Sequence, residues 1–150
     1  MRVYIDTSVV GGCLDPEFEK WSELLFKEFE VGKKIAVISD VTLQELENAR
    51  EEVRGILNRV PDKYKETILL DHEAKELSQH YIREKIVTIK SLVDTRHIAM
   101  ATTNRVNLLV SWNFKHIVNY NRIRLYNSVN LKYGYPIIDI RTPREVLDEK

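Results

Sequence analysis

Apolar residues fall into two rhythms along this chain. Val3 to Ile5, Ile35 to Ile38, Leu108 to Val110 and Ile137 to Ile140 are short, mainly apolar runs and read as buried strands. Between them the spacing lengthens to three and four. Phe18, Trp21, Leu25 and Phe29 share one face of a helix over 17–30, with Asp15 as its cap, Pro16 in its first turn and Gly32 closing it. Gly11-Gly12 predicts a bend before that helix. A helix from Leu43 to Asn48 follows the second run, and Val53, Ile56, Leu57 and Val60 keep a helical beat until Pro61. Asp71 caps a helix carrying Ala74, Leu77 and Tyr81, and Ser91 begins another that ends near Asn104. Ile123, Tyr126, Val129 and Tyr133 keep the same beat over 119–132, before Gly134 and Pro136 interrupt it. Short strands alternating with helices argue for an α/β fold with a mainly parallel sheet covered on both faces.

The 150 residues suit one domain, 1–150, and a chain of this size buries roughly 68–70% of its unfolded surface without needing disulfides or a structural metal. Cys13 is the single cysteine, so no internal disulfide and no C-x-x-C zinc site exists. That fits a reducing compartment such as the cytoplasm. Asp6 interrupts the only early apolar run, which argues against a signal peptide, and no run approaches the length of a membrane span. The 23 basic and 23 acidic side chains cancel, so a nucleic-acid partner would require the basic ones to gather on one face.

Three acids stand at related positions. Asp6 follows the first strand, Glu45 lies at the start of the helix after the second, and Asp94 at the start of the helix leading into the third. In an open parallel sheet such places meet beyond the carboxyl ends of the strands, where ligands bind. Each acid also has a structural alternative. Asp6 suits a turn or cap, Thr42 to Glu45 spells the T-x-x-E capping box, and Ser91 to Asp94 nearly repeats it. Acids crowded together take up protons unless a cation sits among them, and oxygen ligands select Mg²⁺ or Mn²⁺ over zinc. The chemistry implied is phosphodiester hydrolysis.

Four segments carry a resemblance: Tyr4-Ile5-Asp6-Thr7-Ser8; Ile38 through Thr42-Leu43-Gln44-Glu45-Leu46; Asp94-Thr95-Arg96-His97-Ile98-Ala99-Met100-Ala101-Thr102; and Leu109-Val110-Ser111-Trp112-Asn113-Phe114. In this order they resemble the PIN-domain ribonucleases, most closely the VapC-type toxins of toxin–antitoxin pairs. The resemblance implies a three-layer α/β/α sandwich and metal-dependent RNA cleavage. Asp6, Glu45 and Asp94 would hold one or two Mg²⁺ or Mn²⁺ ions, with Ser8, Ser111 and less directly Thr7 in support. It also implies a small antitoxin as partner and a homodimer as the usual state. The departure lies at the fourth acidic position, where Asn113 offers a carbonyl oxygen without charge. That admits a second class of function, an RNA-binding module that does not cut. A phosphatase of another α/β type ranks below both, because its second Asp would fall at Ser8.

His97 reads as a supporting group one turn beyond Asp94, Trp112 and Cys13 as packing, and His72 and His80 as surface. Lys115, Arg122 and Arg124, with His116, Lys132 and interleaved tyrosines, form the candidate RNA-facing stripe. Its alternative is a solvated helix face with the tyrosines turned inward.

Overall fold

The computed structural model describes residues 1–147; Asp148 to Lys150, the end of the expected 1–150 domain, lie outside the described residues. Five strands form one all-parallel sheet in the order β3-β2-β1-β4-β5: β1 Arg2–Ile5, β2 Ile35–Ser39, β3 Lys65–Ile68, β4 Leu108–Val110 and β5 Ile140–Arg141. Val3 stands beside Ala36 on one side and Leu108 on the other, so β1 is the central strand. Alternation along it splits the core. Tyr4, Val37 and Leu109 pack under α5 His72–Arg83, α6 Leu92–Thr103 and α7 Tyr120–Lys132. Val3, Ile5, Ile38 and Val110 pack under α1 Thr7–Gly12, α2 Glu19–Glu30, α3 Asp40–Leu46 and the segment around Ile56 and Leu57 that follows α4 Glu51–Arg54. The result is the three-layer α/β/α sandwich that the alternating pattern implies.

Several boundaries differ from the sequence pattern for identifiable reasons. Gly11 and Gly12 do not bend the chain; they end α1, which starts directly after Asp6. Asp15 caps nothing in α2: its carboxylate accepts from the Glu17 amide in a preceding turn, and the helix begins at Glu19. The helical beat of 51–60 becomes a four-residue helix and a 3-10 turn over 55–59. β3 escaped the pattern because it is an edge strand with only Ile68 buried, and its Glu66 pairs with Arg2 at 2.7 Å. Of the run Ile137 to Ile140, only Ile140 joins the sheet, together with Arg141.

The capping boxes do not form. Ser39 is the cap of α3, its Oγ accepting from the Thr42 amide at 3.2 Å, so α3 starts at Asp40 and Glu45 lies in its second turn. Ser91 makes no capping bond to α6. Glu45 is not spent on a helix start, and Asp94, though in the first turn of α6, makes no capping-box bond there. Asp71 and Asn119 do cap α5 and α7, accepting from Ala74 and Arg122.

Gly12 is fixed by close approach. A Cβ there would sit 2.5 Å from Ser22 Oγ and 2.8 Å from Trp112 Nε1, the two atoms that share a 2.8 Å hydrogen bond joining α2 to the segment after β4. Helix propensity alone favours alanine at such a position by roughly 0.5–1 kcal/mol. The steric argument reverses the sign: Gly12→Ala is expected to destabilise the protein by about 1–3 kcal/mol in urea unfolding. A neutral or stabilised variant would show that this contact is slack.

Candidate active site

In a sheet of order β3-β2-β1-β4-β5, chain direction across the sheet reverses between β1 and β4, and the crevice beyond that pair is the topological switch point. Asp6 leaves β1 there and Ser111 leaves β4. Asp6 is 4% exposed, and three groups donate to its carboxylate: Ser8 Oγ to Oδ1 at 2.6 Å, the Val9 amide to Oδ1 at 3.3 Å, and Ser111 Oγ to Oδ2 at 2.5 Å. Asp6 is thus both the cap of α1 and a buried, doubly braced acid. Burial pushes its carboxyl above the usual carboxylate range, against the opposing pull of His97, Ser111, Ser8 and the Val9 amide. The bracing is itself braced: the Trp112 amide donates to Ser8 Oγ at 2.9 Å and the Asn113 amide to Ser111 Oγ at 2.9 Å.

Glu45 is held from two directions. Thr7 Oγ1 donates to its Oε1 at 2.7 Å, and His97 Nε2 lies 2.9 Å from the same oxygen. A carboxylate only accepts, so His97 donates from Nε2, and its Nδ1 lies 2.6 Å from the Tyr4 hydroxyl. Tyr4 in turn lies 2.8 Å from Ser39 Oγ. A chain of hydrogen bonds therefore runs from the cap of α3 through β1 and α6 to Glu45. Half-burial raises the Glu45 carboxyl, but the bonds from His97 and Thr7 outweigh it and hold the group below its ordinary value. Thr7 supports Glu45, where the sequence had placed it behind Asp6. His97 reaches Glu45 and Tyr4 across the site.

Asp94, partly exposed in the first turn of α6, is pushed up by burial and by the charge of Asp6 and drawn down by His116, His97 and the Asn113 amide. Asn113 Oδ1 accepts from the His116 amide at 3.0 Å, so its amide nitrogen is the group turned to Asp94. Asp6 and Asp94 each feel the charge of His97, and Glu45 is hydrogen-bonded to it, so the three acids share His97 as a neighbour. Trp112 packs rather than reaching out: its ring stacks on Phe18 at 4.3 Å. The basic stripe is divided. Lys115 and Arg124 are exposed, Arg124 lies over Tyr120, Arg122 donates to the Ile86 carbonyl, Lys132 pairs with Glu84 at 2.6 Å, and Tyr126 is buried.

Asp6, Asp94 and Glu45 are the oxygen donors a hard cation selects, and burial is the main cause that raises the carboxyls of Asp6 and Asp94, with the charge of Asp6 adding a smaller push on Asp94. The donors fit in kind. Their spacing is looser, since among the described residues no three His, Cys, Asp or Glu side chains close around one point. Both hydrogen bonds to Glu45 fall on Oε1.

No family model matches the sequence, and no curated protein matches it. Solved structures do. VapC20 of Mycobacterium tuberculosis, a sarcin–ricin-loop-cleaving toxin, is similar at a TM-score of 0.56 and 12% identity, over 75% of this chain and 91% of its own. VapBC2 of Rickettsia felis, bound to a DNA fragment from its promoter, is similar at 0.56 and 16%, over 95% of this chain and 98% of its own. The chain has the PIN fold of the VapC toxins. A toxin–antitoxin complex from Klebsiella pneumoniae is similar at 0.53 and 18%, over 75% of this chain and 88% of its own. In this PIN fold the switch point is occupied by Asp6, and no helix among the described residues is long and apolar enough to cross a membrane.

Arg96, which the sequence reading passed over as part of the α6 motif, lines a hollow with Glu45, and His116 faces Asp94. The signal for His116 lay in the S-W-N-F-K-H string, where Asn113 caps a turn three residues before it.

A buried acid with a raised carboxyl costs stability once it ionises. Below the ordinary carboxylate value it is protonated in both folded and unfolded chains; above its folded value the buried charge is the penalty. Asp6→Asn keeps the shape and removes the charge. In metal-free buffer it is expected to be more stable than the parent by about 1 kcal/mol at pH 7, with the gain shrinking as pH falls through the carboxylate range. Thermal unfolding across pH checks this, and a pH-independent loss of stability would contradict it.

Proposed function

We propose that this chain is a Mg²⁺- or Mn²⁺-dependent ribonuclease and the toxin member of a toxin–antitoxin pair, acting in the cytoplasm. One observation carries the reading most: a carboxylate at the switch point of a PIN fold, 4% exposed, with each oxygen held by a serine hydroxyl. A buried charge in that setting costs stability, and an isolated cap does not require it. The toxins with the same fold, one of them a sarcin–ricin-loop-cleaving toxin, favour the same reading.

Asp6, Asp94 and Glu45 would hold the cation. When bound, such an ion polarises a phosphoryl oxygen and lowers the pKa of a coordinated water. The chain's own contribution is orientation. Ser8 and Ser111 fix the plane of the Asp6 carboxylate, His97 and Thr7 fix Glu45, and Asn113 directs an amide at Asp94. A short antitoxin encoded beside the gene, and a homodimer, belong to the same proposal. The second reading, an RNA-binding module without turnover, is favoured by Asn113, which leaves three acids where a fourth would add charge.

RNA cleavage is expected to need added Mn²⁺ or Mg²⁺, to stop with chelator, and to fall at least about 100-fold in Asp6→Asn, with Ser111→Ala losing about 10-fold. Cleavage at parental rate in Asp6→Asn would place the chemistry elsewhere. RNA binding without turnover, unchanged in Asp94→Asn, would favour the second reading.

A further inference from the structure

Among the described residues, two buried side-chain polar atoms lack a hydrogen-bond partner: Arg96 Nε and His116 Nδ1. Each lines a hollow, and the two hollows lie on opposite sides of Asp94. One, of about 440 Å³, is bounded by Ser91, Lys85, His116 and Arg122. The other, of about 390 Å³, is bounded by Val93, Arg96, Lys75 and the Asp40 and Glu45 carboxylates. Helix geometry sets the separation. Ser91 precedes α6 in a 3-10 turn and lines the first hollow, while Val93 and Arg96, about 100° and about 160° from Asp94 on one side of α6, line the second.

The acids of the second hollow are already engaged. Asp40 Oδ1 accepts from the Val41 and Leu70 amides, each at 2.9 Å, and Glu45 is held by Thr7 and His97. Both carboxylates keep their charge, and Arg96 and Lys75 supply the opposing positive charge and the donors that an entering phosphate requires. In the first hollow, the Arg122 guanidinium is anchored on the Ile86 carbonyl, and its remaining N–H groups, the Lys85 ammonium and the Ser91 hydroxyl are donors. Arg96 Nε and His116 Nδ1 are themselves shielded, so an anionic oxygen in either hollow would be met by the outer N–H groups of the arginines and by the lysine ammoniums, as charge-assisted hydrogen bonds.

We propose that the two hollows are phosphate subsites for one single-stranded RNA, which crosses α6 at Asp94 with a backbone phosphate in each. This rests on the ribonuclease reading and adds to it the path of the strand. The RNA contacts then come from Arg96 and Lys75 on one flank and His116, Arg122 and Lys85 on the other. Lys115 and Arg124, exposed and outside both hollows, contribute little to binding.

The test is affinity of a fluorescein-labelled single-stranded RNA, followed by anisotropy with chelator present so that nothing is cleaved, at several salt concentrations. Each lost phosphate contact lowers the slope of log K against log salt by about 0.7. Arg96→Gln and Arg122→Gln are each expected to show that drop and several-fold weaker binding, and the double variant about twice the drop. Lys115→Gln and Arg124→Gln are expected to keep the parental slope. Circular dichroism of each variant separates misfolding from lost contacts, and Lys75→Gln repeats the Arg96 test without touching a buried group. Parental slopes in Arg96→Gln, Lys75→Gln and Arg122→Gln overturn the proposal while leaving the ribonuclease reading intact. A parent chain that binds no RNA in chelator overturns the proposal, and the ribonuclease reading falls with it only if cleavage with added Mn²⁺ is absent as well.

Discussion

The structure depends on keeping one carboxylate in a place where carboxylates are unwelcome. Asp6 ends the central strand, caps the helix that follows and lies almost wholly out of water. The sheet brings Ser111 from the neighbouring strand to its second oxygen, and α1 brings Ser8 to its first. The backbone amides after Ser111 then fix those two hydroxyls. Hydrogen bonds to a charged acceptor are stronger than neutral ones, and here they offset only part of the burial, since the carboxyl remains above its ordinary range. The protein keeps a group that weakens it, which is characteristic of groups retained for chemistry.

Around that group the three layers have separate tasks. The α1–α4 layer carries Thr7 and Glu45, and the α5–α7 layer carries His97 and Asp94. The hydrogen-bond chain from Ser39 through Tyr4 and His97 to Glu45 crosses the sheet and ties the two layers at the mouth of the crevice. Tyr4 and His97 are both buried, so this link is shielded from competing water and holds Glu45 in a defined position. A loose surface carboxylate would have no such preference.

Much of this was legible in the sequence, and the limits have physical causes. Strands β1, β2 and β4 show as apolar runs because parallel strands buried on both faces need no alternation. The edge strand β3 did not show, because Lys65, Glu66 and Thr67 are polar and only Ile68 is buried. Asp6 was readable because it stands where a strand ends, and Ser8 and Ser111 as its supports through the family resemblance. Glu45 and Asp94 were entangled with capping patterns, and only the real cap of α3, Ser39, separates the two roles. The link from His97 to Glu45 spans 52 positions and leaves no periodicity to read. Arg96 and His116 were not legible as a pair, because what marks them is the absence of a partner in three dimensions.

The proposed role of Asp6, Glu45 and Asp94 is to hold Mg²⁺ or Mn²⁺ in the β1–β4 crevice. A crystal soaked in Mn²⁺ and measured at the manganese absorption edge tests it most directly. The account predicts one anomalous peak at the β1–β4 crevice, with oxygens of Asp6 and Asp94 at ordinary ligand distance and Glu45 turned toward the ion directly or through a water. Manganese bound away from the crevice, or no peak there while Glu45 stays on His97 at saturating Mn²⁺, would contradict it.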